Sequence, residues 1–334
     1  MTDASAGAAR VPKSEAPVLS LGIGDAVIAF DVGGTDTKSA LLSPNGDLVG
    51  LTRASTPHRG TTTAIAVLEH LNAQRAEFAR DFPSIVPAAV GMIAPGLVDD
   101  DLGIGINAAN LRWRDVPFKK LLEESFRLPA SFSHDVRAAG EAEFQLGAAR
   151  PFRNFVVVVV GTGIAASLFI EGRAYSAEGF AGELGHSVVD PNGELCACGA
   201  RGCLETIASA GAIARRYFDA TGVKPAGSRE VIQRASEGDP VASQVWNDAL
   251  DALALSIAQV TAVLSPEAVI VGGGLAQAGD ALFVPLRVRV DRHLSFHRRP
   301  QILPALLGEN AGLLGAALRA RGASHKMAFR SSKS

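Results

Sequence analysis

The hydrophobic positions of this chain repeat one pattern twice. Residues 27–30 (VIAF) are a continuous apolar run, the mark of a strand buried on both faces. The glycine-rich string DVGGTDTK (31–38) follows, and residues 39–42 turn apolar again. PNGD (44–47) signals a turn, and 48–53 continue as a third strand. A helical stretch over about 62–80 and a strand over 88–93 complete the first unit. A strand at 130–133 then runs into a helix beginning near Asp135, and the opening order returns: strand 155–161, the turn GTG, strand 164–170. Strand, glycine hairpin, strand at 27–42 and again at 155–170 is an internal duplication, too widely spaced for a solenoid. The remainder is helical, with a long stretch at about 240–264 and a Leu/Ala-rich helix over about 311–320. One more strand, 268–271, interrupts it and ends in GGG (272–274).

A chain of 334 residues buries a substantial core and divides into two lobes. Hydrophobic residues at 47% and charged ones at 20% suit a soluble enzyme or binding protein. Lys plus Arg (32) nearly balance Asp plus Glu (34), so no broad basic face points to nucleic acid or an acidic membrane. The apolar run at 156–160 is far too short to cross a bilayer. Residues 1–24 read as a disordered leader without a signal-peptide core, which points to the cytoplasm, and 322–334 as a disordered basic tail.

The three cysteines are confined to GHSVVDPNGELCACGARGCLE, residues 185–205. In a reducing cytosol an odd trio is a poor disulfide framework. The spacing His186-x9-Cys196-x-Cys198-x4-Cys203 instead supplies a Cys₃His set suited to tetrahedral Zn²⁺; four protein ligands fill the shell, so such a zinc is structural. The alternative is buried free thiols beside an unrelated histidine. In DVGGTDTK, backbone N–H groups of a tight glycine turn can hold phosphate oxygens while Asp31 orders Mg²⁺ or its water. A plain hairpin is the alternative, and without GK[ST] the string is not a Walker loop. GTG can grip a second phosphate and GGG permits close approach of a flat ligand such as adenine, although each also serves as an ordinary turn. Asp135 is either a helix N-cap or, in the company of both hairpins, a carboxylate aimed into an interlobe cleft where it can deprotonate a hydroxyl.

Taken together, DVGGTDTK, APG (94–96), NLRW (110–113), HDVRAAGEAE (134–143), GTGI, GELGHSVVDPNGELCACGARGCLE, VIVGGGLAQAGD and LGENAGLLGAA resemble the ROK family of sugar kinases and sugar-responsive regulators. The resemblance implies an α/β, two-lobed, actin-like (ribonuclease-H-like) ATPase fold. Its lobes fall at 25–134 and 135–306, a zinc-stapled loop at 185–205, and a helix at 307–321 returning to the first lobe. It implies ATP-dependent phosphorylation of the 6-hydroxyl of a hexose, glucose or an N-acetylhexosamine such as N-acetylglucosamine or N-acetylmannosamine, by a homodimer or higher homo-oligomer. Asp135 resembles the general base. Gly96, Asn110, His134, Glu183, His186 and Glu205 resemble the sugar side. Asp31, Gly33, Gly34, Thr35, Lys38, Thr162 and Gly163 resemble the phosphate side, and Gly272, Gly273 and Gly274 the nucleoside side. The implied cofactors are ATP, Mg²⁺ and structural Zn²⁺; one nitrogen of His186 would bind the metal and the other face the sugar.

Two positions depart from the family pattern: His134 stands in place of Asn, and Ala165 in place of a third glycine. His134 either faces the sugar, reading its hydroxyls differently from an amide, or turns away and packs against the strand. A family regulator would need a winged-helix region ahead of the first strand, and the residues there carry little charge and no helical periodicity. A catalytically silent sugar binder is a further reading, weakened by the presence of both Asp31 and Asp135.

Overall fold

The computed structural model describes residues 20–331. The first part of the chain forms β1 (Val27–Val32), β2 (Asp36–Leu42), β3 (Leu48–Ser55), α1 (Thr63–Asp81) and β4 (Ala89–Ala94). A small antiparallel meander, β5 (Leu97–Asp99), β6 (Ile104–Ala108) and β7 (Trp113–Val116), leads into α2 (Phe118–Phe126), β8 (Ala130–His134) and α3 (Asp135–Leu146). The second part runs through β9 (Phe155–Val160), β10 (Ile164–Ile170), β11 (Arg173–Tyr175), α4 (Leu204–Ala208), α5 (Ala210–Thr221), α6 (Ser228–Ser236), α7 (Pro240–Leu264), β12 (Ala268–Gly272), α8 (Asp280–His293), β13 (Gln301–Pro304) and α9 (Ala311–Ser331).

The duplication expected from the sequence is present in the topology. One sheet has the order β3-β2-β1-β4-β8 and the other β11-β10-β9-β12-β13. In each, an antiparallel hairpin meets two parallel strands at the sheet centre. The apolar runs arise because both faces of the central strands are covered. Along β1, Ile28, Phe30 and Val32 pack toward α1 and α2, while Val27 and Ala29 meet Leu313, Ala316 and Ala320 of α9. Along β9, Val156, Val158 and Val160 join the core built on α7 and α8, and Phe155 and Val157 face Phe144 and Phe169. Helix α7 is long and apolar enough to cross a membrane, yet its Leu250, Leu253 and Ile257 are buried in that core.

Helix α9 continues to Ser331, so residues 322–331, expected to be disordered, are helical. Residues 20–24, assigned to the disordered leader, are also placed: Leu21 N donates to Gly46 O and Gly24 N to Pro44 O. The buried Arg321 joins the two ends, donating to the carbonyls of Leu21, Gly22, Asp25 and Ser43. That anchor lies inside the helix, so the chain beyond it extends an established turn rather than nucleating a new one. The remaining leader and tail expectations, at 1–19 and 332–334, lie outside the described residues.

Helices α3 and α9 pack on each other through small side chains; a Cβ on Gly315 would lie 2.0 Å from Ala138 O. At the end of α3 the buried carboxylate of Glu143 holds both crossings between the halves. Its Oε2 accepts from Ala148 N (2.7 Å), on the way out, and Oε1 from Leu307 N (2.8 Å), on the way back. Glu143→Ala is expected to cost about 1–3 kcal/mol for each buried N–H left unpaired. Thermal melts of the two proteins check this through a lowered melting temperature.

Candidate active site

Parallel strands present their carboxyl ends on one edge, where ligands of α/β sheets gather. In the first sheet these ends carry Asp31 of β1, Ala94 of β4 and His134–Asp135 after β8, with Ala94 in register with His134. In the second they carry the GTG turn after β9 and the GGG turn after β12, with Val159 in register with Gly272.

The first glycine hairpin is closed by Gly33 N donating to Asp36 O at 2.9 Å. The N–H groups of Gly34 and Thr35 have no partner among the described residues, the state expected of a phosphate cradle. Two residues that sequence reasoning missed hold the turn: Thr56 Oγ1 donates to Gly33 O (2.8 Å), and His58 Nε2 lies 2.8 Å from Gly34 O. Asn110 sits over the hairpin, its Nδ2 2.8 Å from where a Gly34 Cβ would be, so the residue expected on the sugar side lies beside one expected on the phosphate side. Gly96 has φ +99°, and a Cβ there would strike Asn107 O at 2.4 Å; only glycine fits this bend into β5.

Asp31 is pushed up to about 6, first by burial and then by the neighbouring Asp135 carboxylate; Lys38 and Arg53 act in the opposite direction. A Mg²⁺ ion or the cations around a nucleotide would relieve that cost, and the donor set suits one. Lys38 Nζ itself binds Glu309 O (2.7 Å) and lies 3.4 Å from its carboxylate, tying β2 to the entrance of α9. A carboxyl raised in the folded state stabilises the fold only while protonated. Its contribution is complete near 3.8 and is lost as pH rises to about 6. Asp31→Asn is therefore expected to raise the melting temperature of the ligand-free protein at pH 7.5 and to leave it unchanged near pH 4. Melts at the two pH values check the sign.

Asp135 is the first residue of α3, and its Oδ1 accepts from Val136 N at 2.7 Å. The N-cap is His134, not Asp135. The His134 side chain is 7% exposed, and its Nδ1 lies 3.2 Å from the same Val136 N and 3.3 Å from Asp135 Oδ1. In this arrangement the ring caps the helix that begins with Asp135, the packed one of its two expected placements.

In the second hairpin Gly161 N donates to Gly163 O, and Ala210 N, at the start of α5, donates to Gly161 O. One oxygen of Glu205 is engaged by this turn: Oε2 accepts from Ile164 N at 2.7 Å and lies 2.4 Å from where a Gly163 Cβ would be. The sugar-side expectation for Glu205 thus meets a carboxylate with one oxygen committed to the GTG hairpin. Thr162 is exposed at the tip, and Ala165 lies within β10, paired with Val159. Gly273, at φ +83°, approaches Val160 O so closely that a Cβ would stand 2.4 Å away, and GTG and GGG therefore adjoin.

His186, Cys196, Cys198 and Cys203 converge, with all four ligand atoms within 4.8 Å of one another. Cys196 Sγ to His186 Nδ1 and Cys198 Sγ to Cys203 Sγ are each 3.6 Å, and the edges of a tetrahedral Zn²⁺ site are about 3.5–3.8 Å long. Burial and its thiol neighbours push Cys203 up to about 12, while the Ala200 N–H draws the exposed Cys198 below the usual thiol range. Three adjacent thiolates need a cation. Gly202 makes the loop possible: φ is +69°, and a Cβ would overlap Asp190 O at 1.5 Å. With Nδ1 toward the sulfurs, His186 turns Nε2 toward Glu183, whose Oε2 is 4.0 Å away.

Two matching sheets with glycine hairpins at their strand ends, and a Cys₃His loop beside them, belong to an actin-like ATPase fold, and the relatives that share it make this chain a sugar kinase. The chain belongs to the ROK family, whose model matches residues 27–323. It is 33% identical over 314 residues to a glucokinase of Thermotoga maritima, covering 87% of this chain and 96% of that one. An N-acetylmannosamine kinase of Yersinia pseudotuberculosis is 32% identical over 297 residues, covering 88% and 98%. The crystal structure of a ROK family glucokinase from Streptomyces griseus, in complex with glucose and AMPPNP, superposes with a TM-score of 0.75 at 29% identity, covering 89% and 99%.

Proposed function

We propose that this protein transfers the γ-phosphoryl group of Mg-ATP to the 6-hydroxyl of a hexose, with Asp135 as general base. The observation that carries the reading is the placement of Asp135: a carboxylate at a strand end, fixed by its own helix N-terminus, close enough to Asp31 to disturb its ionisation. Val136 N engages Oδ1, which leaves Oδ2 to accept the hydroxyl proton as the oxygen attacks in line. Asp31 would hold Mg²⁺ or its water, the Gly34 and Thr35 amides and the GTG turn the phosphates, and Gly272–Gly274 the nucleoside. Bound metal would supply neutralisation of charge on the transferring group. Gly96, Asn110, Glu183, His186 Nε2 and the second oxygen of Glu205 would read the sugar. A zinc held by His186 and the three cysteines would fix that imidazole.

The reading places the enzyme in the cytoplasm, where the three free thiols suit metal ligation, and as a homo-oligomer. The glucokinase and N-acetylmannosamine kinase relatives match almost equally well, so both sugar types belong in the assay. Glucose, N-acetylglucosamine, N-acetylmannosamine, mannose and fructose are offered with ATP and Mg²⁺, and ADP release is followed by a coupled reaction. Sugar-dependent release with at least one hexose, and the product phosphorylated at the 6-position by NMR, is the expected result. Binding of sugars without ADP release would replace this reading with a silent binder.

A further inference from the structure

Behind Asp135 lies a charged cluster that the phosphoryl-transfer chemistry does not use. Asp100, in the turn after β5, has a carboxylate only 8% exposed and five polar contacts. Its Oδ1 accepts from Arg137 Nη2 (2.9 Å) and His134 N (3.2 Å). Its Oδ2 accepts from Ser133 Oγ (2.8 Å) and Arg137 Nε (3.2 Å) and pairs with Arg319 Nη1 at 3.0 Å. Arg319 Nε in turn meets Glu141 Oε2 at 2.6 Å. Two acids and two guanidinium groups balance, and the Arg137 side chain is 2% exposed.

Burying such a set is seldom the cheapest way to fill a core, because desolvation consumes much of the attraction. What this set does is join three elements. Asp100 belongs to the meander that carries Gly96 and leads to Asn110. Ser133, His134 and Arg137 flank the base, and Arg319 belongs to α9, whose Gly312 lies against Asp31. Two of the contacts fall on the backbone N–H and side chain of the two residues immediately before Asp135.

We infer that Asp100 is a positioning residue for phosphoryl transfer: clamped by Arg137 and Arg319, it fixes the end of β8 and so sets the Asp135 carboxylate against the sugar-bearing meander. This rests on the reading of Asp135 as general base. Misplacing a reacting group by about 1 Å can cost on the order of 10²-fold in rate. The meander keeps its own strand ladder, so sugar binding depends less on the clamp than turnover does.

The test uses Asp100→Asn, which keeps shape and loses charge, Asp100→Glu, which keeps charge and adds a methylene, and Arg137→Lys, which keeps charge and loses the fork. Calorimetric titration with the best sugar of the panel counts binding-competent molecules and gives affinity; kcat is then expressed per competent molecule. The expected result is a fall in kcat of roughly 10-fold or more in all three, with sugar affinity changed by less than about threefold. Should Asp100→Asn fail to fold, Arg137→Lys decides alone. An unchanged kcat per competent molecule, or a loss confined to affinity, overturns the inference. Absence of sugar-dependent turnover in the unmodified protein, or near-normal turnover in Asp135→Asn, would instead overturn the underlying kinase reading.

Discussion

Asp135→Asn is expected to lower turnover by about 10² to 10⁴-fold, the range for losing a general base, while the fold and sugar affinity stay close to those of the parent protein. The amide oxygen can still accept from Val136 N, so the first turn of α3 keeps the bond now made by Oδ1. His134 remains as N-cap in either case. What disappears is the unprotonated oxygen that takes the hydroxyl proton, together with the negative charge that helps raise Asp31. Single-turnover measurements with saturating sugar and Mg-ATP separate chemistry from product release. Turnover within a few-fold of the parent would remove Asp135 from its role.

Removal of metal from the Cys₃His loop is the second large effect. We expect one zinc per chain by elemental analysis, and chelation or Cys198→Ala is expected to raise the sugar KM on the order of 10-fold. Structural zinc in small domains contributes roughly 10 kcal/mol of apparent binding energy. Here the loop is also held by backbone bonds, Val189 N to Gly202 O, Leu204 N to Ser187 O and Cys196 N to Ala200 O, so the main unfolding transition should move little. The loss should be local: His186 is no longer pinned, and Glu183 beside it loses its register. Because Cys203 holds its proton up to about 12 without a cation, metal binding must release protons, and acidification should favour metal loss. Restoring zinc should restore sugar affinity. Protein prepared without chelator that contains no zinc would sink this account of the loop.

The parts of this fold that announced themselves were those with a simple cause. β1 and β9 are buried on both faces and read as unbroken apolar runs; the glycine hairpins after them follow from the need for tight turns. The Cys₃His set was legible because spacing alone brings four ligands into one loop. The β5–β7 meander was not, since its strands are three to five residues long and positive φ occurs at Arg112, just before β7, and at Asp115 within it, where side chain type predicts little. His134 did not announce itself as a cap because histidine is unusual there beside the Ser, Thr, Asp and Asn that favour that place. The bond from Ile164 N to Glu205 was hidden as well, because the two residues are 41 positions apart. Asp100, Arg137 and Arg319 were invisible as a group, Asp100 and Arg319 being more than 200 residues apart and joined only by tertiary packing.

Glu143 has a mechanical consequence. Both passages between the halves of the molecule bond to the two oxygens of one carboxylate, so neither passage can slide without dragging the other. Sliding one half past the other would break two buried bonds at once, whereas swinging about that carboxylate breaks neither. The connection therefore removes most relative translations and leaves rotation as the inexpensive motion. Any opening and closing of the halves is then expected to be rotation about this one carboxylate.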